Sequence, residues 1–114
     1  MLPKTRRIRA TSFGALLKNS RSIHSRLISL SYTQTDTATV GSIFAIVVPK
    51  SVSKRAVDRN TLRRQAYALI RAHSETILPG YACIFFLKKG AKGIARTDLQ
   101  EAMTELLKKA GVLI

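Results

Sequence analysis

Two uninterrupted apolar runs do most to limit how this chain can fold. Val40–Val48 reads VGSIFAIVV and Tyr81–Leu87 reads YACIFFL. Both are far shorter than the ~20 apolar residues of a membrane-spanning helix. Both are rich in β-branched and aromatic residues without polar alternation, the pattern of strands buried on both faces. Pro49 has no N–H to donate and ends the first run, and Pro79-Gly80 turns the chain into the second. A further segment, Arg26–Tyr32, alternates Ile28, Leu30 and Tyr32 with Leu27, Ser29 and Ser31, the period of a half-buried strand. The polar stretch 33–39 reads as the turn that follows it.

Between the apolar runs the period changes. Leu62, Ala66, Leu69, Ile70 and His73 follow one face of a helix from about Lys54 to His73, with Asn60, Arg64, Tyr67 and Arg71 on the opposite face. Thr97-Asp98-Leu99-Gln100 has the form of a capping box for a last helix carrying Leu99, Met103, Leu106 and Leu107. Lys108 and Lys109 suit its dipole and Gly111 its left-handed cap. Thr11 or Ser12 can cap a short first helix with Phe13, Leu16 and Leu17 on one face. The predicted order is helix, strands, helix, strand, helix. Residues 1–114 then form a single α+β domain, since no repeat or long linker divides them.

Composition decides what such a domain is for. Of 114 residues, 46% are apolar, enough for a core and too many for a disordered chain. One cysteine rules out a disulfide scaffold. Twenty Lys and Arg against six Asp and Glu leave a net charge of +14, whose self-repulsion points to a polyanionic partner. Nucleic acid fits better than an anionic membrane, because there is no Trp and the Phe residues sit largely in strand runs. The first 35 residues contain no acid and seven cations, the composition of a transit peptide. Removing them would leave only about 80 residues, near the margin for one core. The periodicity around Phe13 makes them part of the expected domain.

The densest signal runs from Lys50 to Arg71. Lys50, Lys54, Arg55, Arg59, Arg63, Arg64 and Arg71 are accompanied by one acid, Asp58. A merely solubilising helix face interleaves both signs to gain i,i+4 pairs, and this one does not. Guanidinium groups grip phosphate bidentately, and Asn60 can pair with backbone or base. Elsewhere the chemistry is sparse. Cys83 lies in an apolar strand, His24 and His73 lack ligand-spaced partners, and the six acids are scattered, so no active site and no metal site are expected on the protein.

Arg59-Asn60 followed by Arg63-Arg64 resembles the Arg-Asn-Arg signature helix of the protein subunits of bacterial ribonuclease P. The surroundings are similar too: the FAIVV strand leading to Lys50, Ala56-Val57, the opening Met1-Leu2-Pro3-Lys4 with Phe13, and Pro79-Gly80-Tyr81 before an apolar strand. Thr61 departs from the signature, where Arg or Lys is usual. Tyr67 stands where a further Arg is common, and Ala68 where Glu is frequent, while Arg71 matches a basic position.

The resemblance implies an α/β sandwich with a four-stranded sheet, three helices and a left-handed crossover around the signature helix. It implies a subunit of an RNA endonuclease that removes 5′ leaders from precursor tRNA, with catalysis by RNA-bound Mg2+ and no cofactor held by the protein alone. Partners would be the catalytic RNA and precursor tRNA, with no membrane and no obligate protein partner. The expected compartment is the cytoplasm, or an organelle. Docking on the catalytic RNA would use Arg59, Asn60, Arg63 and Arg64, supported by Lys50, Lys54, Arg55 and Arg71. The leader would lie in a cleft between the sheet and the first helix, against Phe13, Leu17 and Tyr32. The departures at Thr61, Tyr67 and Ala68 would either weaken binding to the catalytic RNA or shift it toward stacking through Tyr67. The alternative is a ribosomal-type structural RNA-binding protein with no part in cleavage.

Overall fold

Four short strands, each too small to stand alone, are held by one another in a single sheet. The computed structural model describes residues 20–34, 42–73, 76–78, 80–91 and 93–113. Its elements are β1 (Arg21–His24), β2 (Ile28–Gln34), β3 (Ile43–Val47), α1 (Ala56–Ala72), β4 (Tyr81–Leu87) and α2 (Arg96–Ala110), with a 3-10 turn at Lys89–Ala91. The sheet order is β1-β2-β4-β3. β1 and β4 run antiparallel to β2, whereas β3 lies parallel to β4 and is joined to it through α1. Among the described residues there are two α-helices rather than three; the expected first helix with Phe13 and Leu17 lies outside them.

β4 matches the predicted Tyr81–Leu87 in full and is buried on both faces, as a central strand should be. β3 is different. Phe44 and Ile46 are buried while Ile43, Ala45 and Val47 are half-buried, so the run expected to be covered on both faces alternates instead. Its place at the sheet edge explains this. β1 was not expected at all: the Arg21-Ser22-Ile23-His24 segment carries no strand pattern and exists by pairing with β2 across a tight turn. In that turn the Ser25 amide donates to the Ile28 carbonyl, at 2.8 Å. Lys88 then bolts the hairpin to the end of β4, its amide donating to Leu27 O (2.8 Å) and its Nζ to Ser25 O (2.7 Å).

Register fixes the faces. Arg21, Tyr32, Cys83 and Phe44 form one cross-strand row, and Leu30, Phe85 and Ile46 a parallel one on the same face. Both helices pack on that face, α2 over β1 and β2 and α1 over β3 and against α2. Leu62, Ala66, Leu69 and Ile70 of α1 meet Leu99, Met103, Leu106 and Leu107 of α2 in one core cluster. Each such large side chain contributes about 1.5–3 kcal/mol by leaving water. α2 begins at Arg96, one residue before the expected capping box, with Ala95 rather than Thr97 at its N-cap and no side-chain cap. Its other end follows the prediction: Gly111 has φ 77°, and the amides of Gly111 and Val112 donate to Lys108 O and Leu107 O.

Candidate nucleic-acid interface

The cationic segment begins as β3 ends. Pro49 starts a turn closed by the Val52 amide donating to Pro49 O (3.0 Å), and Val52 and Ser53 are buried as its anchors. Lys50, Ser51, Lys54 and Arg55 are left exposed around a hollow of about 460 Å³. Lys89, from the turn after β4, lines the same hollow. The strand pairing that brings residues so distant in sequence together has no local signal.

α1 opens at Arg55 without a side-chain cap. Ser53 acts two residues earlier: its Oγ donates to Asp58 Oδ2 (3.1 Å) and accepts from the Arg55 amide (3.4 Å). Asp58 is thus engaged at the positive end of the helix, where a carboxylate is favourable. Arg59 is half-buried, and its Nη1 donates to the carbonyls of Ser53 and Lys54, both at 2.9 Å. Arg63 Nη1 donates to Asn60 Oδ1 at 2.6 Å, which pre-orders both side chains on the surface. Arg64 and Arg71 are exposed. Thr61, where the signature calls for a cation, is exposed and spends its hydroxyl on Val57 O (2.9 Å).

The charge balance is one-sided. Among the described residues the ion pair is Lys109–Glu105 at 3.1 Å on the far helix, and none of the α1 or loop cations has a carboxylate within salt-bridge distance. Positive side chains left without counter-charges on one surface are the electrostatic footprint of a polyanion site.

Phe13 and Leu17 lie outside the described residues. Tyr32 is half-buried on the helix-packed face of the sheet, in line with Cys83 and Phe44. Tyr67 is corrected outright: instead of facing outward to stack, it is buried, and its hydroxyl accepts the Ile46 amide of β3 at 3.3 Å. Cys83 is fully buried, and burial pushes its thiol up to about 12. His73 Nε2 is within 3.1 Å of Thr104 Oγ1. Among the described residues, no three His, Cys, Asp or Glu side chains gather as metal ligands, and no helix is long and apolar enough to cross a membrane.

A mixed four-stranded sheet with both described helices on one face, bearing an arginine-rich helix whose cations have no carboxylate within salt-bridge distance among the described residues, defines a small domain built to hold a polyanion. Comparison with known proteins gives that class its family. The profile described as Ribonuclease P matches residues 2–111. A ribonuclease P protein component of Synechococcus sp. (strain JA-2-3B'a(2-13)) is 30% identical over 117 residues, covering 100% of this chain and 88% of the relative. One of Microcystis aeruginosa is 37% identical over 90 residues, covering 79% of this chain and 74% of the relative. Among solved structures, a Staphylococcus aureus RNase P protein mutant with defective mRNA degradation activity superimposes with a TM-score of 0.87 at 23% identity, covering 96% of this chain and 92% of that one. The RNase P protein from Thermotoga maritima gives 0.81 at 20% identity, covering 90% and 96%. The chain belongs to the ribonuclease P protein family.

Proposed function

We propose that this chain, a ribonuclease P protein subunit in the maturation of tRNA 5′ ends, grips the catalytic RNA through α1 and the loop before it. Arg64, Arg71, Lys50, Lys54 and Arg55 meet phosphates, the linked Asn60–Arg63 pair presents a fixed donor array, and Arg59 holds the loop in place. The observation that carries this reading is the set of cations without carboxylate partners. Each phosphate they neutralise releases condensed counterions and strengthens binding at low salt.

Phe13 and Leu17 belong to this reading as the wall of a cleft for the precursor tRNA leader, where stacking contributes about 1–3 kcal/mol per base without demanding a sequence. The family's third helix and left-handed crossover around α1 belong to it as well. Mg2+ serves the RNA. The described residues offer it no cluster of carboxylates, and their part is to lower repulsion between two RNAs so that metal ions can bind at the scissile phosphate. Such a subunit works in the bacterial cytoplasm or in an organelle.

The test is leader cleavage by a bacterial-type ribonuclease P RNA at low Mg2+ and moderate salt, with and without the protein. Strong stimulation that falls when Arg63 and Arg64 are replaced by Ala supports the reading. Tight binding to unrelated structured RNA without stimulation overturns it in favour of a ribosomal-type role.

A further inference from the structure

The crossover that carries α1 makes β3 and β4 parallel neighbours, so their carboxyl ends emerge at the same end of the sheet. Between adjacent parallel strands that end is where ligands are held, because the segments leaving the two strands flank one crevice. The segments leaving here are the loop of residues 48–55 and the turn Lys89–Ala91. Between them lies the hollow of about 460 Å³ whose cations are Lys50, Lys54, Arg55 and Lys89.

Both walls are fixed before any ligand arrives. On the loop side Val52 and Ser53 are buried, and the Arg59 guanidinium holds the carbonyls of Ser53 and Lys54. On the turn side Ala91 is fully buried with its amide donating to Lys88 O at 2.9 Å, and a Cβ on Gly90 would come within 2.7 Å of Leu27 Cδ2. The two adjacent lysines at this turn are used differently. Lys88 Nζ is spent on Ser25 O, whereas Lys89 is exposed and its ammonium has no hydrogen-bond or ionic partner among the described residues. The side-chain charges of Lys50, Lys54 and Arg55 have none either, and no described acid lines the hollow. Positive groups brought from two distant segments to one crevice repel one another, and an anion held among them removes that cost.

We propose that this crevice clamps a place in folded RNA where two backbone phosphates crowd together, and that Lys89 is an RNA-binding residue that closes it from the β4 side. The inference rests on the chain gripping the catalytic RNA through α1 and its leading loop; it adds a cation from a separate segment and the kind of RNA structure the site selects. An extended strand presents its phosphates singly along a line and satisfies the cations of one wall. Two backbones packed side by side bring phosphates to both walls at once, where cations between them offset their repulsion.

The experiment measures affinity and its salt dependence for a bacterial-type ribonuclease P RNA and for a short oligouridylate. It uses the full chain, Lys89→Gln, Lys54→Gln, the double variant and Lys108→Gln, each checked by circular dichroism. Lys108 is an exposed cation of α2 that lines no part of this hollow. On the ribonuclease P RNA, Lys89→Gln should weaken binding and lower the slope of log affinity against log salt by about one, while Lys108→Gln changes neither. The double variant should lose less than the product of the two single losses, because both lysines serve one phosphate pair. On oligouridylate, Lys89→Gln should bind as the native protein does. Lys89→Gln indistinguishable from Lys108→Gln on the ribonuclease P RNA overturns the proposal, as does a multiplicative loss in the double variant or an equal loss on oligouridylate. Native protein that fails to bind the ribonuclease P RNA at all overturns the underlying reading and this proposal with it, a result distinct from native binding in which Lys89 alone is silent.

Discussion

The hydroxyl of Tyr67 accepts a hydrogen bond from the backbone amide of Ile46, 3.3 Å away, so the cationic helix stitches itself to the edge strand from which it departs. An open edge offers unpaired amides to other chains, and a covering element removes that hazard. Tyr67→Phe keeps the ring and removes the acceptor. It should cost about 1 kcal/mol in chemical denaturation and speed hydrogen exchange at Ile46, with little change in RNA affinity.

Arg59 and Arg64 carry equal charge in the same helix but do different work. Arg64 is exposed, and its replacement by Ala should lower the slope of log affinity against log salt by about one. Arg59 holds two loop carbonyls. Arg59→Ala should therefore also raise hydrogen exchange at the Val52 amide, which Arg64→Ala should leave alone.

Ser53 and Asp58 together close the start of α1. Ser53 is almost fully buried, so Ser53→Ala leaves the Arg55 amide and Asp58 without this partner. A loss of about 1 kcal/mol is expected, the usual cost of deleting a capping hydroxyl. Asp58→Asn should lose somewhat less, in a thermal melt at low salt.

Burial raises the Cys83 thiol from 9.0 to about 12. The folded protein holds this proton more tightly than the unfolded chain does. Stability from this source is therefore complete below about pH 9 and is lost as pH rises toward about 12, by at most roughly 1.4 kcal/mol per pH unit. Denaturation of the native protein and Cys83→Ala across that window should differ in slope, with the native falling faster. A thiol reagent at neutral pH should label Cys83 only after unfolding.

Legibility followed locality. β4, α1 and the Gly111 cap rest on patterns within one segment and were readable from the chain. β1 was not, because a four-residue polar segment becomes a strand only through its partner. Tyr67 was misread because α1 packs against both β3 and α2, which widens its buried face beyond one stripe. The capping box failed because α2 starts at Arg96, so Thr97 already lies inside the helix instead of at its cap. The cations of the interface were visible by type, but their division into contacting and positioning groups depends on hydrogen bonds that sequence does not encode.

The parallel pairing of β3 with β4 has a thermodynamic consequence. The cationic helix is the chain's own route between those strands, so it cannot melt alone without loosening the register of Ile43–Val47 against Ala82–Phe86. A ligand that grips α1 therefore tightens the whole sheet, and under the proposed contact with RNA the stability of the domain becomes a function of how much RNA is present. For a chain carrying +14, the proposed partner would act as counter-ion and as scaffold at once.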